Sequence, residues 1–115
     1  MIMIIEDDKV IAKCVARACG RDVRVFSDAI TAMNEIGSTE LPKMIFLDLM
    51  PTGPDGFAFL NEIISYDDTA KIPIVIISDY ELDGKDLSTY GVVEALQKEK
   101  MTPGDVKRLV TEYAK

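Results

Sequence analysis

The sequence predicts an α/β protein: a five-stranded parallel sheet covered by helices on both faces. Three observations predict it. Short apolar runs alternate about five times with stretches of helical periodicity. Most of these runs carry almost no polar residues, as strands buried on both faces require. Repeated strand–helix–strand order makes the strands parallel through crossover connections. The chain has 115 residues, 48% of them hydrophobic, enough for one compact domain over 1–115 with its own core. No linker, repeat or low-complexity segment interrupts the pattern.

Met1 to Ile5 is the first strand, followed by the acids Glu6, Asp7 and Asp8. A helix is predicted from Lys9 to Cys19, with Val10, Ile11, Cys14, Val15 and Ala18 on its inner face and Gly20 as its stop. Val23 to Phe26 is a second strand. Ser27 or Asp28 caps the next helix, which turns Ile30, Met33 and Ile36 inward and ends at Gly37. Met44 to Leu47 is the third strand, ending abruptly in Asp48. A loop with Pro51, Gly53, Pro54 and Gly56 leads to a helix with Phe57, Leu60, Ile63 and Ile64 as its apolar face. Ile72 to Ser78 is the fourth strand, with Pro73 near its start, where a missing N–H does least harm. Asp79 to Tyr90 supports only a short or irregular helix. Val92 to Lys98 is the fifth strand, interrupted by Glu94. Thr102, Pro103 and Asp105 form the N-cap, first turn and capping box of the last helix, whose inner face is Val106, Leu109, Val110 and Tyr113.

Composition narrows the function. A net charge of −7 with no basic patch argues against direct nucleic-acid binding and against anionic membrane surfaces. It suits a cation or a basic partner. The absence of histidine removes histidine-based triads and the usual zinc sites. Cys14 and Cys19 read as buried free thiols. No signal peptide or membrane span is expected, because acids follow the first strand at once and no apolar run is long enough. A cytoplasmic protein fits best.

In open α/β sheets the ligand site lies beyond the carboxyl ends of the strands. The first strand ends in Glu6-Asp7, the third in Asp48, the fourth in Ser78 and the fifth in Lys98. Each has an ordinary reading alone: a helix N-terminal acid, a turn cap, a strand-end hydroxyl, a solvated ammonium. Together they have a chemical logic. Three carboxylates repel unless a cation joins them. Oxygen ligands alone favour a hard ion such as Mg²⁺. Mg²⁺ beside a carboxylate, with Lys and Ser near, suits phosphoryl transfer.

These motifs, Ile4 through Asp8, Phe46 through Met50, Asp55-Gly56, Ile74 through Ser78 and Gly91 through Lys98, resemble the receiver domain of bacterial two-component response regulators over essentially the whole chain. The resemblance implies a flavodoxin-like, doubly wound sheet of order 2-1-3-4-5. It implies a signalling module rather than an enzyme. Asp48 would accept a phosphoryl group from a phosphohistidine on a histidine kinase or phosphotransfer protein. Glu6, Asp7, Asp48 and the Met50 carbonyl would hold Mg²⁺. Lys98 would pair with phosphoryl oxygens. Ser78 would swing toward the acyl phosphate and report it to a downstream protein through the outer face of the fourth helix and fifth strand.

The chain departs from the family mainly on that output side. Pro51 comes one residue early, and Asp79 stands where a small residue is usual, adding a carboxylate that would repel a phosphoryl group or narrow its entrance. Ala95 lacks the ring that usually follows the switch, and Glu99 replaces the common Pro after the Lys. Asp79 to Tyr90 is short for its place. A receiver-like adaptor that is never phosphorylated is the alternative these departures favour. A haloacid-dehalogenase-type phosphatase reading of Asp48 to Thr52 fails at Met50, where a second Asp is needed. No phosphate-binding loop is present, since Asp86 follows Gly84-Lys85.

Overall fold

The computed structural model describes residues 1–36, 40–49, 55–82 and 84–115, the side chains of 55 and 84–86 excepted. The Gly37 helix stop, Met50 and the Pro51–Pro54 loop lie outside these. The elements run β1 (Ile2–Ile5), α1 (Lys9–Cys19), β2 (Val23–Phe26), α2 (Ala29–Ile36), β3 (Met44–Asp48), α3 (Asp55–Ile64), β4 (Ile74–Ser78), a 3₁₀ helix (Gly84–Tyr90), β5 (Val92–Gln97) and α4 (Pro103–Tyr113). All strand pairs are parallel, in the order β2-β1-β3-β4-β5. This is the flavodoxin-like order expected from the sequence. Among the described residues no helix is long and apolar enough to cross a membrane.

Side-chain alternation along the strands makes two cores. Met3, Ile5, Ile45, Leu47, Ile74 and Ile76 face α2 and α3. Ile2, Ile4, Met44, Phe46, Val75 and Ile77 face α1 and α4. The three central strands are therefore apolar on both sides, which is why they read as unbroken hydrophobic runs. A register irregularity sits opposite Ile74 and Val75, where β5 passes from Val92 to Glu94. The register skips Val93, whereas Glu94, the polar residue within the apolar run, stays paired with Val75.

Local chemistry sets the helix ends. Asp8 caps α1 by accepting from Val10 and Ile11 N–H at 2.9 and 3.2 Å. Gly20 closes that helix at φ 62°, a left-handed position that favours glycine. Asp28, rather than Ser27, caps α2 through Thr31 N–H at 2.7 Å. The Thr102–Asp105 capping box forms as expected, with Pro103 in the first turn.

Three helix faces differ from the expected ones. On α1, Ala12, Val15, Ala18 and Cys19 are buried, whereas Val10 is 71% exposed. Cys14 is exposed too, so only Cys19 is the buried thiol expected of both. On α2, Ala29, Ala32 and Ile36 go inward and Ile30 faces out. On α3, Phe59, Leu60 and Ile63 are buried, while Phe57 and Ile64 are exposed. The physical reason is common to α1 and α2: alanines face the sheet and let the helix approach it closely, so the larger apolar residues do not mark the inner face. Of the expected α4 face, Tyr113 is only half-buried, packed against the α1/α4 core. The Asp79 to Tyr90 stretch does end in a short 3₁₀ helix.

Candidate functional site

Adjacent parallel strands bring their ends together. Ile5 of β1 lies opposite Leu47 of β3, so Glu6 and Asp48 emerge side by side on the carboxyl rim. Glu6 N–H still bonds to Phe26 O at 2.9 Å, which extends the strand geometry to Glu6. The loop then holds its carboxylate: Asp8 N–H donates to Glu6 Oε2 at 3.1 Å. Asp8 thus caps α1 and anchors Glu6 together, a role the sequence pattern alone did not single out. On the far side of Asp48, Leu49 packs over α3. A Cβ on Gly56 would fall 2.7 Å from Leu49 Cδ1, so glycine allows this close approach.

Lys98 arrives from the next strand but one. Its N–H donates to Ser78 O at 2.8 Å, which extends the β4–β5 ladder beyond β5. Its ammonium lies 3.2 Å from Glu6 Oε1, 3.4 Å from Asp48 Oδ1 and 3.9 Å from Asp79 Oδ1. The Glu6 side chain is fully buried and those of Asp48 and Lys98 nearly so, whereas Asp79 is 62% exposed. One cation therefore serves three carboxylates, two of them out of water.

The electrostatics follow from that crowding. Burial first, and the neighbouring Asp48 second, push the Glu6 carboxyl up to about 7, against the opposing pull of the Asp8 N–H and Lys98. Burial alone would lower Lys98, but Glu6, Asp48 and Asp79 outweigh it and hold its ammonium above the usual value. Glu6 Oε1 is buried and lacks a hydrogen bond; its contact with Lys98 is an ion pair without hydrogen-bond alignment.

Glu6, Asp7 and Asp48 each offer one oxygen, all within 4.8 Å of one another. With the buried, unbonded Glu6 oxygen among them, this all-oxygen set fits a hard divalent cation such as Mg²⁺. The expected fourth ligand, Met50, lies outside the described residues. Ser78 is 2% exposed, and its hydroxyl accepts from Tyr80 N–H at 3.0 Å. That leaves the hydroxyl proton free to be donated elsewhere. The structure thus brings Glu6, Asp7, Asp48 and Lys98 together, with Ser78 at the neighbouring strand end. Ala95 packs only its methyl group against the α2/α3 core.

Comparison with known proteins supplies the fold's relatives. No protein-family model matches the chain, and none of the curated proteins matches it. Solved structures do. The receiver domain of NtrX from Brucella abortus superposes with a TM-score of 0.79 at 27% identity, over 99% of this chain and 97% of that one. A two-component response regulator from Legionella pneumophila superposes at 0.81 with 19% identity, over 96% and 95%. The Mn²⁺-bound form of the response regulator Rcp1 does so at 0.76 with 21% identity, over 96% and 91%. In fold, strand order and extent, this chain matches the receiver domains of response regulators.

Proposed function

We propose that the chain is a two-component receiver, a single domain over 1–115, that takes a phosphoryl group on Asp48 and signals through protein contacts in the cytoplasm. The observation that carries this reading is the ammonium of Lys98, 3.4 Å from Asp48 Oδ1 at the edge of a three-carboxylate cluster. A strand-end carboxylate beside a fixed cation is what phosphoryl transfer needs: a nucleophile, and positive charge for the transferring oxygens.

In the step proposed, an Asp48 oxygen attacks phosphorus in line. The new O–P bond forms as the N–P bond of a phosphohistidine breaks, and the electron pair stays on the departing imidazole nitrogen. The donor is a histidine kinase or phosphotransfer protein. Lys98 meets the phosphoryl oxygens, and the Ser78 hydroxyl donates its proton to one of them while still accepting from Tyr80. Glu6, Asp7, Asp48 and the Met50 carbonyl would hold Mg²⁺. When bound, that ion would neutralise the clustered carboxylates and the phosphoryl charge. A downstream protein then reads the changed surface.

The test is a mass measurement after incubation with Mg²⁺ and acetyl phosphate. One added phosphoryl group, removed by base and absent from Asp48→Asn, supports the reading; an unmodified chain defeats it. A second reading, an adaptor that is never phosphorylated, draws on Asp79 beside Lys98 and on the missing ring at Ala95. It predicts an unmodified chain and partner binding that Asp48→Asn leaves intact.

A further inference from the structure

We propose that Asp79 is a positioning residue that slows the arrival of anionic phosphoryl groups at Asp48 by competing for Lys98. The proposal rests on the receiver reading and adds a rate-setting device specific to this chain.

The geometry is built in by the backbone. Ser78 pairs with Gln97 in the β4–β5 register. One step further on, Lys98 N–H bonds to Ser78 O at 2.8 Å. Asp79 and Lys98 therefore leave their strands as cross-strand neighbours. On the other side, Tyr80 N–H bonds back to Ser78 Oγ at 3.0 Å, forming a tight turn with Asp79 at its middle. Asp79 is held at this place by its neighbours' hydrogen bonds and not by burial of its own side chain. Its Oδ1 lies 3.9 Å from the ammonium that is also 3.4 Å from Asp48 Oδ1.

Two effects follow. First, part of the charge of Lys98 is already engaged by an outer carboxylate, so an incoming phosphoryl group must displace that contact to reach it. Second, Asp79 is exposed where Asp48 and Lys98 are almost covered, so its negative charge stands on the solvent side of the site. A dianionic donor meets that charge before it meets Lys98. A donor whose phosphoryl group is carried on a basic surface is penalised far less. The device thus favours a cationic protein donor over free anionic metabolites.

The test compares wild type with Asp79→Asn, Asp79→Ala and Asp79→Glu in Mg²⁺. The initial rate of Asp48 phosphorylation is read by mass with two donors, dianionic acetyl phosphate and the less charged phosphoramidate. Asp79→Asn and Asp79→Ala should react about fivefold faster with acetyl phosphate. The gain should be smaller with phosphoramidate and should shrink with added salt, and Asp79→Glu should stay slow. An unchanged rate overturns the proposal. So does an equal gain for both donors that salt does not alter, which would mean a purely structural role. If neither wild type nor any variant is labelled by either donor, the receiver reading fails along with this one. If wild type is labelled and Asp79→Asn matches it, only this inference falls. The urea midpoints of the variants should match wild type, because the side chain is largely in solvent.

Discussion

Glu6 and Lys98 stand 92 residues apart in the chain, yet their charged groups meet at 3.2 Å beneath the surface. Breaking a buried pair leaves the surviving charge without compensation, and here the survivor would also face Asp48. Lys98→Ala should therefore lower stability by about 3 kcal/mol in the absence of divalent metal. Added Mg²⁺ should restore part of that loss while phosphorylation of Asp48 stays impaired. Urea unfolding with and without Mg²⁺ measures the first, and labelling with acetyl phosphate the second.

Glu6 sets a pH dependence with a definite sign. Its carboxyl rises from 4.5 to about 7 in the folded, metal-free protein. Between those values the folded state holds a proton that the unfolded state has released. Stability attributable to Glu6 is therefore full below about 4.5, falls as pH rises toward about 7, and is level above that. Glu6→Gln, which imitates the protonated form, should gain on wild type across that interval. The difference in urea midpoint between the two, followed from pH 4 to pH 8, checks it. Saturating Mg²⁺ should flatten the wild-type slope.

The phase of α3 separates two phenylalanines only two residues apart. Phe59 is fully buried in the α2/α3 core, whereas Phe57 is exposed and meets the Tyr90 ring edge-on, with ring centroids 6.4 Å apart. Phe59→Ala should cost about 4 kcal/mol through lost burial and the cavity left behind. Phe57→Ala should cost about 1 kcal/mol, the scale of one aromatic pair. Chemical denaturation of both variants decides whether the inner face is the one described.

Helix capping makes a smaller prediction. Thr102→Ala removes one half of a reciprocal pair, the acceptor for Asp105 N–H. The expected loss is about 1 kcal/mol. Asp8→Ala should lose a similar amount from α1 but keep the backbone N–H that bonds Glu6 Oε2, so its metal affinity should fall no more than that of Thr102→Ala. Calorimetric Mg²⁺ titration of the two variants checks this.

The sheet was legible in the sequence because most of its strands are short, apolar and closed by polar residues. Asp48, Glu6 and Lys98 were legible for a related reason: each polar residue interrupts or ends a run whose rigidity fixes where it emerges. Helix faces were harder to read. Val10, Ile30 and Phe57 attract attention by their size, yet the sheet packs against Ala18 and Ala32, whose small side chains carry little signal. Hydrophobicity alone cannot separate a residue that must fit a narrow gap from one that is merely apolar. Asp79 lay in the sequence as an oddity. Only the β4–β5 pairing shows that it stands across from Lys98.

The division of the sheet into two cores has a last consequence. Glu6, Asp48 and Lys98 continue the rows of Ile4, Phe46 and Leu96, which pack on the α1/α4 side. Ser78 continues the row of Ile76, which packs on the other. The rows that lead to the charged groups are thus anchored on one face of the sheet, and the row that leads to the hydroxyl on the other. Substitutions that loosen the α2/α3 layer should disturb Ser78 while leaving the charge cluster in place. The setting of the hydroxyl can therefore change without rebuilding the charge cluster.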